Sequence, residues 1–339
     1  MTLATGNAGQ SPRRIACDFC EHRCNLKEGQ RGICWIRKRV GDRIVTTNYG
    51  EHVSLSVDPI EKKPLYHVLP GSHALSSALA GCNFRCTFCQ NCTISQPDLY
   101  RNLDTRYIGP EDLGQRLVEG RYPVAAFTYS EPTVWQDYMI DAATAVRAAG
   151  GISVMITNGF FTDEALERFL PVIDAFNIDL KGDDRFYRSL CGGRVEPIRR
   201  NIRTLAMGGT HTRQSPVLEV TTMLMEGEHT ETGVREIAAF LADAGVKVWH
   251  LSAFRPAYKM MDHAPTRPSF LDEMYRIVSE EYPIPHVYAY SSRHAAYQQT
   301  FCPACGELCI DRQGFEAAAN HLVDGRCPGC GASLYGRFR

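Results

Sequence analysis

The stretch from Ala80 to Cys92, AGCNFRCTFCQNC, sets three thiols at C-x3-C-x2-C spacing just after an apolar, strand-like run from Ala74 to Ala80. Soft thiolates favour iron-sulfur clusters, and this spacing lets Cys82, Cys86 and Cys89 of one loop reach three corners of a cubane. The fourth iron would then have no protein ligand, which suits chemistry at a strand end when a cofactor chelates it. The plainer reading of the same residues is a zinc site or free thiols at chance spacing.

Two further cysteine sets flank this loop. Cys17, Cys20, Cys24 and Cys34 lie on turn-rich sequence with Gly29 and Gly32, and would close a small knuckle around one tetrahedral metal, with His22 as a substitute ligand. Zinc and a second iron-sulfur cluster are not separable there by spacing, since both accept thiolates. Near the end, the Cys-Pro-x-Cys turns Cys302 to Cys305 and Cys327 to Cys330 resemble a zinc ribbon, in which each turn donates two thiolates to zinc or iron. Such a module contributes folding energy rather than catalysis. Cys191 and Cys309 read as spare thiols.

The elements that position these residues follow from periodicity. Beyond the cysteine loop, short apolar runs alternate with amphipathic segments. Strands are expected at Val124 to Thr128, Ser153 to Thr157, Ala175 to Asp179, Val217 to Met223, Val248 to Ser252 and Val287 to Tyr290. Helices are expected at Thr133 to Ala149, Thr162 to Leu170, Glu196 to Met207, Thr230 to Ala244 and Pro268 to Glu280. With Ala74 to Ala80 first, this makes six or seven β/α units and a parallel, barrel-like α/β sheet. The expected division is a mobile tail at 1–14, a Cys-rich, β-rich region at 15–72, the barrel at 73–298 and the ribbon-like module at 299–339. Within the second region, Asp58 to His67 reads as an extended connector because of its prolines, and its Glu61, Lys62, Lys63 run as a solvated charge cluster.

Barrels of this kind carry chemistry at the carboxyl ends of their strands. There the chain offers Ser130 and Glu131, Thr157 to Gly159, Asp179 to Lys181, Thr221 and Thr222, and His250 with Ser252. One polar strand end is a loop cap; five in succession predict a convergent site. Lys+Arg 37 against Asp+Glu 38, a net charge of -1, argues against a general nucleic-acid or membrane binder. No run approaches the ~18 apolar residues of a membrane span and residues 1 to 14 have no apolar leader core, so a reducing cytoplasmic setting is expected. Fourteen cysteines in that setting point to metal rather than disulfides.

The central loop resembles the cluster loop of the radical S-adenosylmethionine (SAM) superfamily. Longer stretches resemble the radical SAM component of the AmmeMemoRadiSam system, a relative of the glycyl-radical-enzyme activases: Asp58 to His67 (DPIEKKPLYH), Pro70 to Ser72, Cys89 to Asn91, Ile94 to Gln96, Thr128 to Thr133 (TYSEPT), Thr157 to Phe160 (TNGF), Asn177 to Gly182 (NIDLKG), Trp249 with His250, and Pro256 to Met260. The resemblance implies a partial (β/α)6-type radical SAM barrel in which Cys82, Cys86 and Cys89 hold a 4Fe-4S cluster. It also implies that SAM occupies the fourth iron and is reductively cleaved to a 5'-deoxyadenosyl radical, with the electron coming from a flavodoxin- or ferredoxin-like reductant. Glu131, Asn158, Asp179, Lys181 and His250 map near SAM, with Asp179 and Lys181 closest to its methionyl carboxylate. Memo-type pathway partners are implied, and the substrate is left open. Cys92 stands where the family usually has tryptophan, and Ala253 to Arg255 and Ser291 with Ser292 also depart from its pattern near the open end of the barrel. A glycyl-radical-enzyme activase and, from a different class, a non-catalytic zinc-binding scaffold are the competing readings.

Overall fold

In the computed structural model residues 14–100, 103–208 and 215–339 are described, and the expected tail lies outside them apart from Arg14. Eight strands frame the molecule: β1 (Glu51–Pro59), β2 (His73–Leu79), β3 (Val124–Phe127), β4 (Ile152–Thr157), β5 (Ala175–Asp179), β6 (Val217–Leu224), β7 (Val248–Ala253) and β8 (His286–Ala289). They lie side by side in chain order, with β2 to β8 parallel and β1 antiparallel to β2. A two-residue strand, Arg106–Tyr107, extends the sheet beyond β1. The strand order is linear, so the barrel is partial. Glu51–Pro59, read from sequence as part of the N-terminal region, is thus a strand of the main sheet.

Parallel strands covered on both faces need apolar residues throughout, and Val124 to Phe127 are all buried. The crossovers contain α1 (Pro110–Glu119), α2 (Gln136–Ala148), α3 (Asp163–Phe169), α4 (Glu196–Ala206), α5 (Glu231–Asp243) and α6 (Pro268–Glu281). Threonine hydroxyls cap two of them: Thr162 accepts from the Ala165 amide and Thr230 from the Gly233 amide. Helix α5 buries Val234, Ile237, Ala238 and Leu241, the i, i+3, i+4, i+7 stripe that faces a sheet. Helix α1 is absent from the sequence expectation. Its signals are local and present: Pro110 at the first turn, Leu113 and Leu117 on the buried face, and Gly120 at the end.

The segment after β1 corrects a second expectation. Ile60–Lys62 is one 3-10 turn, and Glu61 and Lys63 are buried rather than solvated. The chain then runs beneath the inward-facing residues of β5 and β6. The Pro64 carbonyl accepts from Asn177 Nδ2 at 2.7 Å, and the Tyr66 and His67 amides donate to the Glu219 carboxylate at 3.0 and 2.8 Å. Asp58 to His67 is therefore the floor of the barrel. Its backbone stays inside because the Pro64 carbonyl and the Tyr66 and His67 amides find partners on strands far away in sequence.

The C-terminal residues brace this floor from below. Strands Leu308–Gln313 and Glu316–Asn320 form an antiparallel pair. From the first of them Arg312, fully buried, donates to the Tyr66 carbonyl at 2.7 Å and to Thr300 Oγ1 at 2.7 Å, with its guanidinium 4.1 Å over the Tyr66 ring. Beside this pair, the sulfurs of Cys302, Cys305, Cys327 and Cys330 all lie within 4.8 Å of one another, with Cys302 to Cys330 at 3.7 Å and Cys305 to Cys327 at 3.6 Å. Metal-sulfur bonds of about 2.3 Å give tetrahedral edges of about 3.8 Å, so the quartet has the dimensions of a single four-coordinate ion. Because this ion would hold the module that presents Arg312, chelating it is expected to lower the melting temperature of the whole chain by at least about 5 °C. Calorimetry with and without chelator, with Cys327→Ser as the genetic equivalent, checks this.

Candidate active site

The cysteine loop leaves β2 at its carboxyl end and is clamped from several sides. The Gly81 amide donates to the Ile94 carbonyl at 2.8 Å, and Glu131 N donates to the Gly81 carbonyl at 3.1 Å. Gly81 has φ +114°, and a Cβ there would meet Ile36 Cγ1 at 2.3 Å, so only glycine lets the N-terminal region pack this closely. On the far side, Arg85 N and Thr87 N donate to the Cys191 and Leu190 carbonyls at 2.8 and 2.9 Å. Those two residues belong to a π-helical turn, Tyr187–Cys191, closed by Gly192 in the left-handed region.

Cys82, Cys86 and Cys89 line one cavity of about 340 Å³ at the carboxyl end of the sheet. The Cys82 sulfur accepts the Phe84 amide at 3.3 Å, and Cys89 Sγ lies 3.2 Å from Ser95 Oγ. Cys86 hydrogen-bonds to Cys191, and this bond together with burial pushes its thiol well up against the opposing cation of Lys181. Burial raises Cys82 and Cys89 in the same way. Among the described residues, the C-terminal quartet is the only group of three or more His, Cys, Asp or Glu ligand atoms drawn within 4.8 Å of one another. The three loop sulfurs are not drawn together as that quartet is.

The strand ends supply the rest of the lining: Ser130, Glu131, Thr157, Asn158, Asp179, Lys181, Thr221 and Ser252 all face the cavity. Glu131 is held by the Thr133 amide at 3.1 Å, the Thr133 and Thr157 hydroxyls at 2.6 and 2.7 Å, and the Asn158 amide at 2.8 Å. Burial raises its pKa against these donors. Asn158 Nδ2 donates to Asn83 Oδ1 at 2.7 Å and lies 3.8 Å from Cys82 Sγ, tying the third strand end to the cysteine loop. Lys181 Nζ meets Asp179 Oδ2 at 2.6 Å. Burial alone would lower the lysine, but the charges of Asp179 and Cys86 outweigh it and keep it protonated.

His250 is not among the lining residues. Fully buried, its Nε2 sits 2.6 Å from Glu219 Oε2 and its ring packs edge-on against Tyr66 at 4.8 Å, so it belongs to the barrel floor. Thr222 also turns away, its hydroxyl accepting the Trp249 indole N–H at 2.9 Å. Cys92 starts a short helix, Cys92–Ser95, and does not line the cavity.

Sequence reasoning missed the opposite wall. Lys62, Lys63 and Tyr129 line the cavity and converge on Asp58: Lys62 Nζ at 2.6 Å, Lys63 Nζ at 2.8 Å, the Tyr129 hydroxyl at 2.5 Å and the Ser76 hydroxyl at 2.7 Å. Tyr129 adopts φ +68°, an unfavourable conformation for a bulky residue, and its carbonyl accepts Asn91 Nδ2 from the cysteine loop at 3.0 Å. The motifs DPIEKKPLYH and TYSEPT contain Asp58, Lys62, Lys63 and Tyr129, but nothing local shows that they converge, because the members come from three separated segments.

The Radical SAM superfamily model matches residues 77–241. The uncharacterised protein MJ0808 of Methanocaldococcus jannaschii is 36% identical over 95% of both chains. A putative glycyl-radical enzyme activating enzyme of Haemophilus influenzae is 25% identical over 39% of this chain and 52% of its own. A crystal structure of Streptococcus suis SuiB aligns over 68% of this chain and 51% of that chain at 11% identity and TM-score 0.49. The cysteine spacing, the strand-end cavity and the superfamily match over residues 77–241 agree: the chain belongs to the radical SAM superfamily, and that membership implies a 4Fe-4S cluster and SAM as its cofactors.

Proposed function

We propose that the protein reductively cleaves SAM and uses the resulting radical to abstract hydrogen from a substrate held at the barrel mouth. The observation that carries this is the shared cavity: three thiols of one loop face Glu131, Asn158, Asp179 and Lys181 across it. Cys82, Cys86 and Cys89 would hold the 4Fe-4S cluster, which when bound supplies the electron that breaks the sulfonium bond of SAM. The donor set fits: three soft sulfurs of one C-x3-C-x2-C loop lining one cavity, an amide N–H on Cys82 and a fixed cation near Cys86 and Cys89. Lys181, still protonated, is suited to a carboxylate, and the Glu131 and Asp179 carboxylates to an amino group and ribose hydroxyls. Phe84, Phe88, Ile156 and Met223 add apolar lining that limits water around the radical.

In the ribbon quartet we assign zinc, and we read the pathway as the AmmeMemoRadiSam one with Memo-type partners, on the motifs between Asp58 and Met260. The likeness to an activating enzyme supports a second reading, in which the hydrogen comes from a glycine of a partner enzyme. A glycyl-radical EPR signal on that partner distinguishes it from modification of a small molecule. For either reading the test is the same first step. Anaerobically reconstituted protein given dithionite and SAM is expected to yield 5'-deoxyadenosine and methionine. A cluster-loaded sample that yields neither would sink the proposal.

A further inference from the structure

We infer that the N-terminal cysteines Cys17, Cys20, Cys24 and Cys34 hold a second 4Fe-4S cluster, seated against the catalytic loop as the entry point for electrons. The role as entry point rests on the SAM-cleavage reading; the site itself does not.

Three observations carry it. The first is that each of the four sulfurs is met by backbone amides, which oppose the burial that raises the Cys17, Cys20 and Cys34 thiols. Cys17 accepts the Phe19 amide, Cys20 the His22 amide, Cys34 the Ile36 and Arg37 amides, and Cys24 the Ile33 amide at 3.5 Å. Amide N–H groups aimed at sulfur stabilise thiolate and set cluster potential. Cys17, Cys20 and Cys34 are buried, the Cys17 amide donates to the Cys24 carbonyl at 2.9 Å and the amide of Ile33, next to Cys34, meets the Cys24 sulfur, so the four belong to one knuckle. His22, expected as a substitute ligand, is committed elsewhere: its Nε2 donates to the Asn83 carbonyl at 2.9 Å, and its ring packs 5.0 Å from Phe160.

Secondly, the molecule supplies its own ruler. The C-terminal sulfurs crowd within 4.8 Å, as one ion requires, whereas no three of the N-terminal sulfurs do so. The N-terminal set is therefore not gathered around one ion as the C-terminal quartet is, which favours a larger cluster over a single zinc.

The third observation is placement. The His22 contact falls on Asn83, next to Cys82; Arg85 of the cysteine loop donates to the Ile33 carbonyl; and Ile36 packs on Gly81. Glu21 N donates to the Phe160 carbonyl at 3.2 Å, two residues beyond Asn158. Between residues 14 and 46 the exposed or half-exposed charges are six basic, Arg14, Arg23, Lys27, Arg31, Lys38 and Arg43, against four acidic, Arg37 and Arg39 being buried. Such a face attracts an acidic, low-potential one-electron donor protein. One electron leaves that donor, reduces the N-terminal cluster, and passes to the cluster of the central loop, which returns the first to its oxidised state; no bond or proton changes in the relay.

The test uses the full chain, purified and reconstituted anaerobically. Iron, sulfide and zinc analysis with Mössbauer spectroscopy is expected to give two cubanes and one zinc per chain, and one cubane with two zincs would overturn the inference. In Cys20→Ser/Cys24→Ser, one cubane's iron and sulfide should be lost while the SAM-perturbed EPR signal of the other remains. In Cys82→Ala/Cys86→Ala/Cys89→Ala, the N-terminal cubane should remain without any response to SAM. Iron retained in full by the first variant overturns the site, whereas a wild-type protein with two cubanes and no SAM response overturns the SAM reading alone. The ratio of flavodoxin-driven to dithionite-driven 5'-deoxyadenosine formation should fall several-fold in the first variant, and an unchanged ratio overturns the entry role.

Discussion

Cys86→Ala is expected to abolish SAM cleavage, with 5'-deoxyadenosine falling at least about a thousandfold under dithionite. The loop offers three thiols to the cluster, and losing one leaves a corner iron exposed to solvent and exchange. Cys86 is the informative choice because of what lies behind it. Its sulfur bonds to Cys191, which is fully buried on the π-helical turn and whose carbonyl also holds the Arg85 amide. A thiol in that position can swing toward the vacated iron, so any iron retained by Cys86→Ala should vanish in Cys86→Ala/Cys191→Ala. Cys191→Ala alone keeps all three loop ligands. It is expected to retain the cluster, and its effect should be a shift in reduction potential, since a thiol hydrogen-bonded to a ligand sulfur tunes cluster potential. Iron content, potentiometric EPR titration and product yield across the four proteins separate ligand loss from tuning. Full product yield from Cys86→Ala/Cys191→Ala would remove the central loop from the mechanism.

The frame was legible because its signals are local. β5 runs from Ala175 to Asp179 as periodicity predicts, and the other expected strands and helices differ by a residue or two at their ends, except at α2, which is preceded by a 3-10 turn, Pro132–Trp135; α1 and β1 are not among them. The cysteine loop was legible for the same reason, since its three ligands fall within eight residues. What failed was long-range pairing. Glu61, Lys62 and Lys63 look like a solvated run, yet Glu61 accepts the Gly71 amide and faces Arg312, 251 positions away, and Lys63 meets Asp58 inside the barrel. A charge is cheap to solvate and costly to bury, so the default reading is right unless a distant partner exists, and the partner is invisible to a window. His250 fails more subtly. It shares an inward-facing register with Ser252, but Glu219 draws its ring toward the floor while Ser252 reaches the cavity.

Asp58 turns that long-range pairing into the largest stability effect expected of a residue outside the metal sites. Asp58→Asn should cost about 3–5 kcal/mol, because it strands the ammonium of Lys63, 2% exposed, without its counter-charge. Lys63→Met should cost less, since Asp58 keeps the half-exposed Lys62, the Tyr129 and Ser76 hydroxyls and the Ser56 hydroxyl at 3.1 Å. Lys62→Met should cost under about 1 kcal/mol, as exposed pairs do. The double variant Asp58→Asn/Lys63→Met should recover much of the loss, because neither charge is then buried alone. The pH dependence has a definite sign. Burial by itself would raise the Asp58 carboxyl, but hydrogen bonds from Lys62, Lys63, Tyr129 and Ser76 win and hold it far below its ordinary 3.8. A depressed carboxyl contributes its full stability above its unfolded value and loses it as pH falls through the range below. Wild-type protein should therefore lose stability below about pH 4 more steeply than Asp58→Asn, which has no carboxylate there to protonate. Denaturant unfolding of wild type and the four variants at pH 7 and pH 3 measures both effects; parallel acid losses in wild type and Asp58→Asn would rule out the cluster as their source. The consequence reaches the chemistry through Tyr129. Its hydroxyl is fixed by Asp58 and Lys63 and its carbonyl by Asn91, so the same network that seals the floor holds the strained residue between the lysines and the cysteine loop.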